Sequence, residues 1–188
     1  MRNSAAAGRA RHVVVFAKAP RLGQVKTRLA RDIGAPAALH FYETTLRATV
    51  LGLAGPWRRH LAAAPDDFAP EVRRVWRWLP GSVDVVPQGG GDLGRRMARL
   101  FAALPPGPAV LVGSDIPGLT PDAIARAFLA LGRHDAVFGP AMDGGYWLVG
   151  LRRLKSMPGL FRAVNAGMFH FLTYAKHWEL ERNAKRLG

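Results

Sequence analysis

The chain reads as an α/β protein, with a mostly parallel sheet and helices on both faces. Two observations predict this. Short apolar, β-branched runs alternate along the chain with helical patterns, and strand–helix alternation of that kind buries a parallel sheet under helices. The runs His12–Ala17 and Ala109–Val112 are apolar nearly throughout instead of at every second residue, as strands covered on both faces must be. The length of 188 residues suits one domain with its own core and leaves no room for two.

Each element has a local reason. Residues 1–11 are small, polar or basic without a period, so a flexible tail is expected there, followed by a single domain over 12–188. His12–Ala17 is the first strand. Lys18–Gln24 holds Pro20 and Gly23 and reads as a loop. Val25–Gly55 is mostly helical, broken near Gly34 and Pro36, with Leu39, Tyr42, Leu46, Val50 and Leu53 near helical spacing. Arg59–Ala64 is a second strand, and Pro65-Asp66-Asp67 opens a helix expected over Phe68–Leu79. Val83–Val86 is a strand and Pro87–Gly91 a loop. Asp92–Leu104 reads as a helix with Leu93, Met97, Leu100 and Leu104 on one face. Ala109–Val112 is the clearest central strand. Thr120 followed by Pro121 is a helix start signal for Pro121–Leu131. Ala136–Gly139 and Tyr146–Leu151 are further strands. After Leu151 the pattern decays, and Met168–Arg186 reads as a terminal helix.

Composition excludes several classes. There is no Cys, so disulfides, thiolate zinc sites and Cys nucleophiles are out. No apolar run approaches the roughly 20 residues of a membrane span, and a soluble, cytoplasmic protein is expected. The 27 Lys and Arg against 13 Asp and Glu give a net charge of +14. A polyanion partner would account for it. So would composition, because the Arg residues are scattered along the chain and not blocked into a tail; nucleic acid is therefore not the expected partner. Trp76 and Trp78 beside Arg73, Arg74 and Arg77 read as a partly covered surface helix in preference to a base-stacking platform. His170 and His177 lack further ligands nearby, so no zinc site is expected.

Open α/β sheets bind ligands beyond the carboxyl ends of their strands. After the first strand come Lys18, Lys26 and Arg28, with Lys26-Thr27-Arg28 expected to open a helix. Cations at a helix start suit a phosphate, although solvated loop cations have the same pattern. After the third strand, Gly89-Gly90-Gly91 allows a ligand close to backbone; Asp92 then suits an N-cap, and Arg95 and Arg96 reach either a phosphate or solvent. Asp115, after Gly113-Ser114 at the tip of the central strand, suits a hard cation such as Mg²⁺, or a turn. Asp143 before Gly144-Gly145 suits a second metal ligand, a sugar hydroxyl partner or a hairpin turn. Tyr146 and Trp147 alternate on a strand, so one is expected to face the core and the other the cleft.

Four stretches in this order resemble the DUF2064 family, whose members have a glycosyltransferase-A-like, nucleotide-diphospho-sugar transferase fold. They are Phe16-Ala17-Lys18-Ala19-Pro20 with Gly23 and Val25-Lys26-Thr27-Arg28-Leu29; Gly91-Asp92-Leu93-Gly94 with Arg96-Met97; Gly113-Ser114-Asp115-Ile116-Pro117; and Gly139 to Leu151. The resemblance runs from about Val13 to Leu151. It implies a Rossmann-like GT-A fold, a nucleotide or nucleotide-sugar donor, a small-molecule acceptor, and Mg²⁺ or Mn²⁺. By matching position, Lys18, Lys26 and Arg28 would hold donor phosphates, and Gly91, Asp92, Leu93 and Gly94 would lie near the nucleoside. Asp115 would bind the metal. Gly144, Gly145 and Tyr146 would face the acceptor, with Asp143 the candidate catalytic base. The implied activity is metal-dependent transfer from a nucleotide-linked donor, foremost glycosyl transfer from an NDP-sugar. The alternatives are nucleotidyl transfer from an NTP to a phosphorylated small molecule, and a non-catalytic nucleotide-binding protein. The last is kept because the chain departs from the family pattern near Pro158, and Asn165–Gly188 carries no late acidic motif.

Overall fold

The computed structural model describes residues 10–114, 116–141, 145–153 and 161. Among these residues, six strands form one sheet. They are β1 (His12–Lys18), β2 (Arg58–Ala64), β3 (Val83–Pro87), β4 (Ala109–Val112), β5 (Ala136–Pro140) and β6 (Tyr146–Leu151). Their order across the sheet is β3-β2-β1-β4-β6-β5. Strands β1 to β4 pair with one another in parallel, whereas β6 runs antiparallel to both β4 and β5. The expected α/β architecture with a mostly parallel sheet is therefore present.

Among the described residues, five α-helices flank the sheet: α1 (Leu29–Ile33), α2 (Ala35–Gly52), α3 (Val72–Val75), α4 (Leu93–Ala103) and α5 (Pro121–Leu131). The period-2 geometry of β1 divides its apolar run between two cores. Val13, Val15 and Ala17 join a cluster with Tyr42, Leu46 and Val50 of α2 and Ile124, Phe128 and Leu131 of α5. Val14 joins Met97, Leu100 and Phe101 of α4 on the other face. Both faces are covered, and this is why β1 carries no alternating polar residues in its middle.

Several local expectations need correction. The helix expected over Phe68–Leu79 is a 3₁₀ segment, Asp66–Glu71, running into the four-residue α3. Pro70 lies inside the 3₁₀ segment, where its ring and missing N–H interrupt α-helical bonding. The chain leaves helical geometry at Trp76, which is 1% exposed and meets Phe68 edge-on at 5.2 Å. Trp78 packs beside it, ring centroids 6.0 Å apart. The buried Trp76 offers no face to a base. Leu93 does not share the buried face of α4, being 47% exposed while Met97, Leu100 and Leu104 are buried. The terminal helix expected over Met168–Arg186 lies outside the described residues, as do 1–9 of the expected tail. Arg11 is already tied in, its carbonyl accepting from Arg58 N–H at 2.9 Å. No helix among the described residues is long and apolar enough to cross a membrane.

Candidate functional site

The parallel strands bring the ends of β1 to β4 to one edge of the sheet. Two hollows open there. The first, of about 480 Å³, lies over the ends of β1, β2 and β3 and is lined by Lys18, Pro65, Asp66, Gly89–Gly91 and Arg96. The second, of about 390 Å³, lies at the β1–β4 junction and is lined by Lys18, Lys26, Tyr42, Leu93, Arg96 and Ser114. Sequence connectivity reverses direction between β1 and β4, and open α/β sheets characteristically place their ligands at such a point. Each volume falls within the range of ligand pockets, roughly 300–1,000 Å³. Lys18 and Arg96 line both hollows, so the boundary between them carries two cations.

Lys18 ends β1, and Tyr42 of α2 fixes its backbone. The Tyr42 hydroxyl accepts from Lys18 N–H at 2.7 Å and donates to Lys18 C=O at 2.8 Å. Lys26 reaches the second hollow from a turn, with φ of 50° and its ammonium 5.8 Å from the centre of the Phe41 ring. The expectation that Lys26-Thr27-Arg28 opens a helix is not met. Helix α1 starts at Leu29, spans five residues and has Arg28 in its N-cap position, so it supplies no extended helix terminus to an anion. Arg28 is exposed and lines neither hollow. Arg96, for which the sequence leaves a phosphate or solvent open, lines both hollows from α4.

The glycine loop after β3 is gripped from two sides. Asp66 accepts from Gly89 N–H at 2.8 Å. Arg99 donates to the carbonyls of Gln88 (3.2 Å) and Gly90 (3.0 Å). Gly89 and Gly91 both have positive φ, 79° and 99°, a region that glycine enters without a Cβ penalty. Gly91 lines the first hollow and Leu93 the second, so the Gly91–Gly94 stretch straddles the boundary. Asp92 caps α4, accepting from Arg95 N–H at 2.8 Å, and Gly94 is buried in the first turn of that helix. Arg95 is 78% exposed beside the Asp92 carboxylate and lines neither hollow.

Antiparallel pairing of β6 with β4 and β5 sets the last candidates. Val112 pairs with Leu148, Pro140 with Tyr146, and Gly113 N–H donates to Trp147 C=O at 3.4 Å. The β5–β6 connection therefore turns at the same sheet edge as the end of β4. Ala141 N–H donates to Gly145 C=O at 2.9 Å, as a tight reversal requires. Gly145 and Tyr146 line neither hollow. Tyr146 packs on Phe138 at 5.4 Å, and Trp147 packs against the opposite core cluster. Asp115, Asp143 and Gly144 lie outside the described residues. Among the described residues, no group of three or more His, Asp or Glu is arranged to hold a metal ion.

A polar cluster that sequence reasoning missed lies low in the sheet. His12 Nδ1 and His60 Nε2 are 3.0 Å apart in the interior, and His60 Nδ1 lies 3.6 Å from Asp84. Burial pushes both imidazoles below their ordinary value of 6.5. For His12 the neighbouring His60 and Arg153 add to this, whereas for His60 the Asp84 carboxylate partly opposes it. Residues 48 apart in sequence meet only through β1–β2 pairing, and no local pattern announces them.

No curated protein matches the chain. A solved structure of a candidate nucleotide-diphospho-sugar transferase from Desulfovibrio desulfuricans G20 is 32% identical, with a TM-score of 0.74 over 84% of this chain and 69% of that one. A 4-diphosphocytidyl-2C-methyl-D-erythritol synthase from Anaerococcus prevotii DSM 20548 is 12% identical, with a TM-score of 0.49 over 72% and 57%. A glucosyl-3-phosphoglycerate synthase from Mycobacterium tuberculosis, solved with Mn²⁺, UDP and glucosyl-3-phosphoglycerate, is 18% identical, with a TM-score of 0.40 over 66% and 40%. The last two likenesses are too distant to bear on this site. The model of the DUF2064 family, described as an uncharacterized protein conserved in bacteria, matches residues 46–168. That range holds the glycine loop and both later motifs, and with the 32% identity it establishes that this chain belongs to the DUF2064 family.

Proposed function

We propose that this protein is a divalent-metal-dependent transferase using a nucleotide-linked donor, with glycosyl transfer from a nucleoside-diphosphate sugar as its reaction. The observation that carries the reading is the pair of cations, Lys18 and Arg96, on the wall common to two hollows. A ligand with two bulky ends joined by a diphosphate matches that form. Its nucleoside would lie by Gly89–Gly91, its phosphates at Lys18 and Arg96, and its sugar by Ser114. The 32% identical candidate nucleotide-diphospho-sugar transferase supports the same class.

The chemistry asked of these residues is charge stabilisation. The acceptor oxygen bonds to the anomeric carbon while the bond from that carbon to the diphosphate oxygen breaks, and negative charge grows on the leaving phosphate. Fixed cations at that position lower the barrier. Lys18 has its backbone pinned by Tyr42, and Lys26 adds a third positive group in the second hollow. Asp143 is the proposed base for the acceptor proton, and Gly144, Gly145 and Tyr146 the proposed acceptor side. Their support is the β5–β6 turn at the sheet edge where β4 ends.

The donors at that edge fit a hard cation: Ser114 offers a hydroxyl oxygen, Asp115 would follow with a carboxylate, and the chain has no thiol. One carboxylate plus donor phosphates is a set that Mg²⁺ accepts, and a bound ion would neutralise the departing diphosphate.

A thermal-shift panel of NTPs and NDP-sugars, with and without Mn²⁺, tests the reading. A ligand at a hundred times its Kd adds about 2.7 kcal/mol, which for a chain of this size raises Tm by about 5–10 °C. At least one NDP-sugar is expected to do so with Mn²⁺, and Asp115→Ala to abolish the metal-dependent part. No shift with any nucleotide overturns the reading. Release of pyrophosphate in place of free NDP, on turnover, would identify nucleotidyl transfer.

A further inference from the structure

Gln88, the first residue after β3, is 3% exposed. A buried primary amide is costly unless its polar atoms find partners, and every one of the partners found here ties the sheet to the cleft. Its Nε2 donates to Ala17 C=O of β1 at 2.9 Å and to Ala62 C=O of β2 at 2.8 Å. Its backbone N–H donates to Ala63 C=O at 3.0 Å, and its carbonyl accepts from Arg99. Two carbonyl partners on one side of the amide demand the nitrogen there, which fixes the orientation chemically. The oxygen must then face the other way. In that direction it accepts from Arg96 Nη1 at 3.2 Å.

We propose that Gln88 is a positioning residue that sets the Arg96 guanidinium on the wall between the two hollows, ready for the donor's phosphates. The inference rests on the transferase reading above and adds a device to it. Arg96 is a long side chain that would otherwise sample many rotamers, and fixing it beforehand removes an ordering cost from binding. The adjacent Arg95 is the contrast: on the same helix, it stands mostly in solvent and pairs with Asp92 instead. The choice of Gln over Glu follows from charge. A carboxylate would hold Arg96 more tightly but would cancel the charge a phosphate needs, and it would take away the amide donor that the carbonyls of Ala17 and Ala62 share. A neutral amide orients the guanidinium and leaves its charge intact.

A double-mutant cycle tests this, with Kd read by isothermal titration calorimetry. The probe is whichever of ADP, CDP, GDP, UDP and dTDP the wild-type chain binds most tightly with Mn²⁺. Arg96→Ala should weaken binding about tenfold or more, the loss of a charge-assisted hydrogen bond. Gln88→Met should weaken it about three- to tenfold in the wild-type background, and less than about twofold when Arg96 is already Ala, because its effect runs through Arg96. A merely structural role would cost the same in both backgrounds. Should Gln88→Met not fold, Gln88→Asn carries the same cycle, since its amide is one methylene short of Arg96. Equal losses in the two backgrounds, or no loss in either, overturn the inference while leaving the transferase reading standing. A wild-type chain that binds none of the five diphosphates overturns the transferase reading, and the inference with it.

Discussion

The hydroxyl of Tyr42 is both donor and acceptor to the backbone of Lys18, at 2.8 and 2.7 Å. One buried side chain on α2 thereby holds the end of β1 at the wall where the two hollows meet. Tyr42→Phe keeps the ring in its core position and removes both bonds. It should cost about 1–3 kcal/mol in urea unfolding, and it should also weaken nucleotide binding, since Lys18 is no longer fixed. Unchanged stability would mean that these bonds hold nothing. The His12–His60 pair gives a second prediction at this scale. Burial lowers both folded-state values below 6.5, most of all by desolvation. Between the lowered value and 6.5 the unfolded chain binds more protons than the folded one, so stability rises with pH through that window. It is full above pH 6.5 and is lost as pH falls below it. Urea midpoints measured from pH 8 to pH 5 should decline below about 6.5, the ordinary imidazole value. A flat profile there would contradict the buried, neutral pair. Neither residue pair is legible in the sequence, because each is made by strands and helices distant along the chain.

At the scale of elements, helix α4 and the loop before it show where sequence reasoning succeeds. Asp92 before an apolar-periodic run is a local signal, and the carboxylate does cap the helix. The same residue was also a candidate for the nucleoside, and one variant separates the roles. Asp92→Ala should cost about 1 kcal/mol as a lost cap and leave the nucleotide Kd within twofold if capping is its whole role. A larger loss of affinity would assign it to the ligand. Gly89 makes a further test. Its φ of 79° is unfavourable for any residue with a Cβ, and an added methyl would meet the Arg99 guanidinium. Gly89→Ala should therefore cost about 1 kcal/mol or more and loosen the strap that Arg99 and Asp66 place on the loop. Thr120 and Pro121 likewise start α5 where local chemistry says, with Thr120 Oγ1 accepting from Ala123 N–H at 3.3 Å. By contrast, the helix expected over Phe68–Leu79 failed. The Pro65-Asp66-Asp67 opening leads instead into a 3₁₀ segment and a single turn, which bury Phe68, Val72 and Trp76.

Across the whole molecule, the charge of +14 finds a partial account in the backbone. Arg59 donates to Val50 C=O, Arg73 to Val83 C=O, Arg99 to the glycine loop, and Arg153 to the carbonyls of Leu104, Pro105 and Gly107. These guanidinium groups satisfy carbonyls at element ends and are not arrayed for a polyanion. Gel shifts with duplex DNA and RNA are accordingly expected to vanish by about 200 mM salt, where non-specific phosphate contacts are lost. Retention at that salt would call for a nucleic-acid surface. The sequence by itself determined the α/β class, all six strands to within a residue at either end, the caps of α4 and α5 and the glycine-rich position of the cleft. Those follow from local causes: apolar period, β-branching, and the turn chemistry of Gly, Pro, Asp and Thr. Tertiary structure alone decided that Arg96 and not Arg28 joins Lys18, that Leu93 turns to the cleft, and that Gln88 and Tyr42 stand behind the two shared cations. Those choices depend on strand order and on hydrogen bonds between segments 8 to 71 residues apart, and no local pattern in a chain encodes which distant carbonyl a buried side chain will meet.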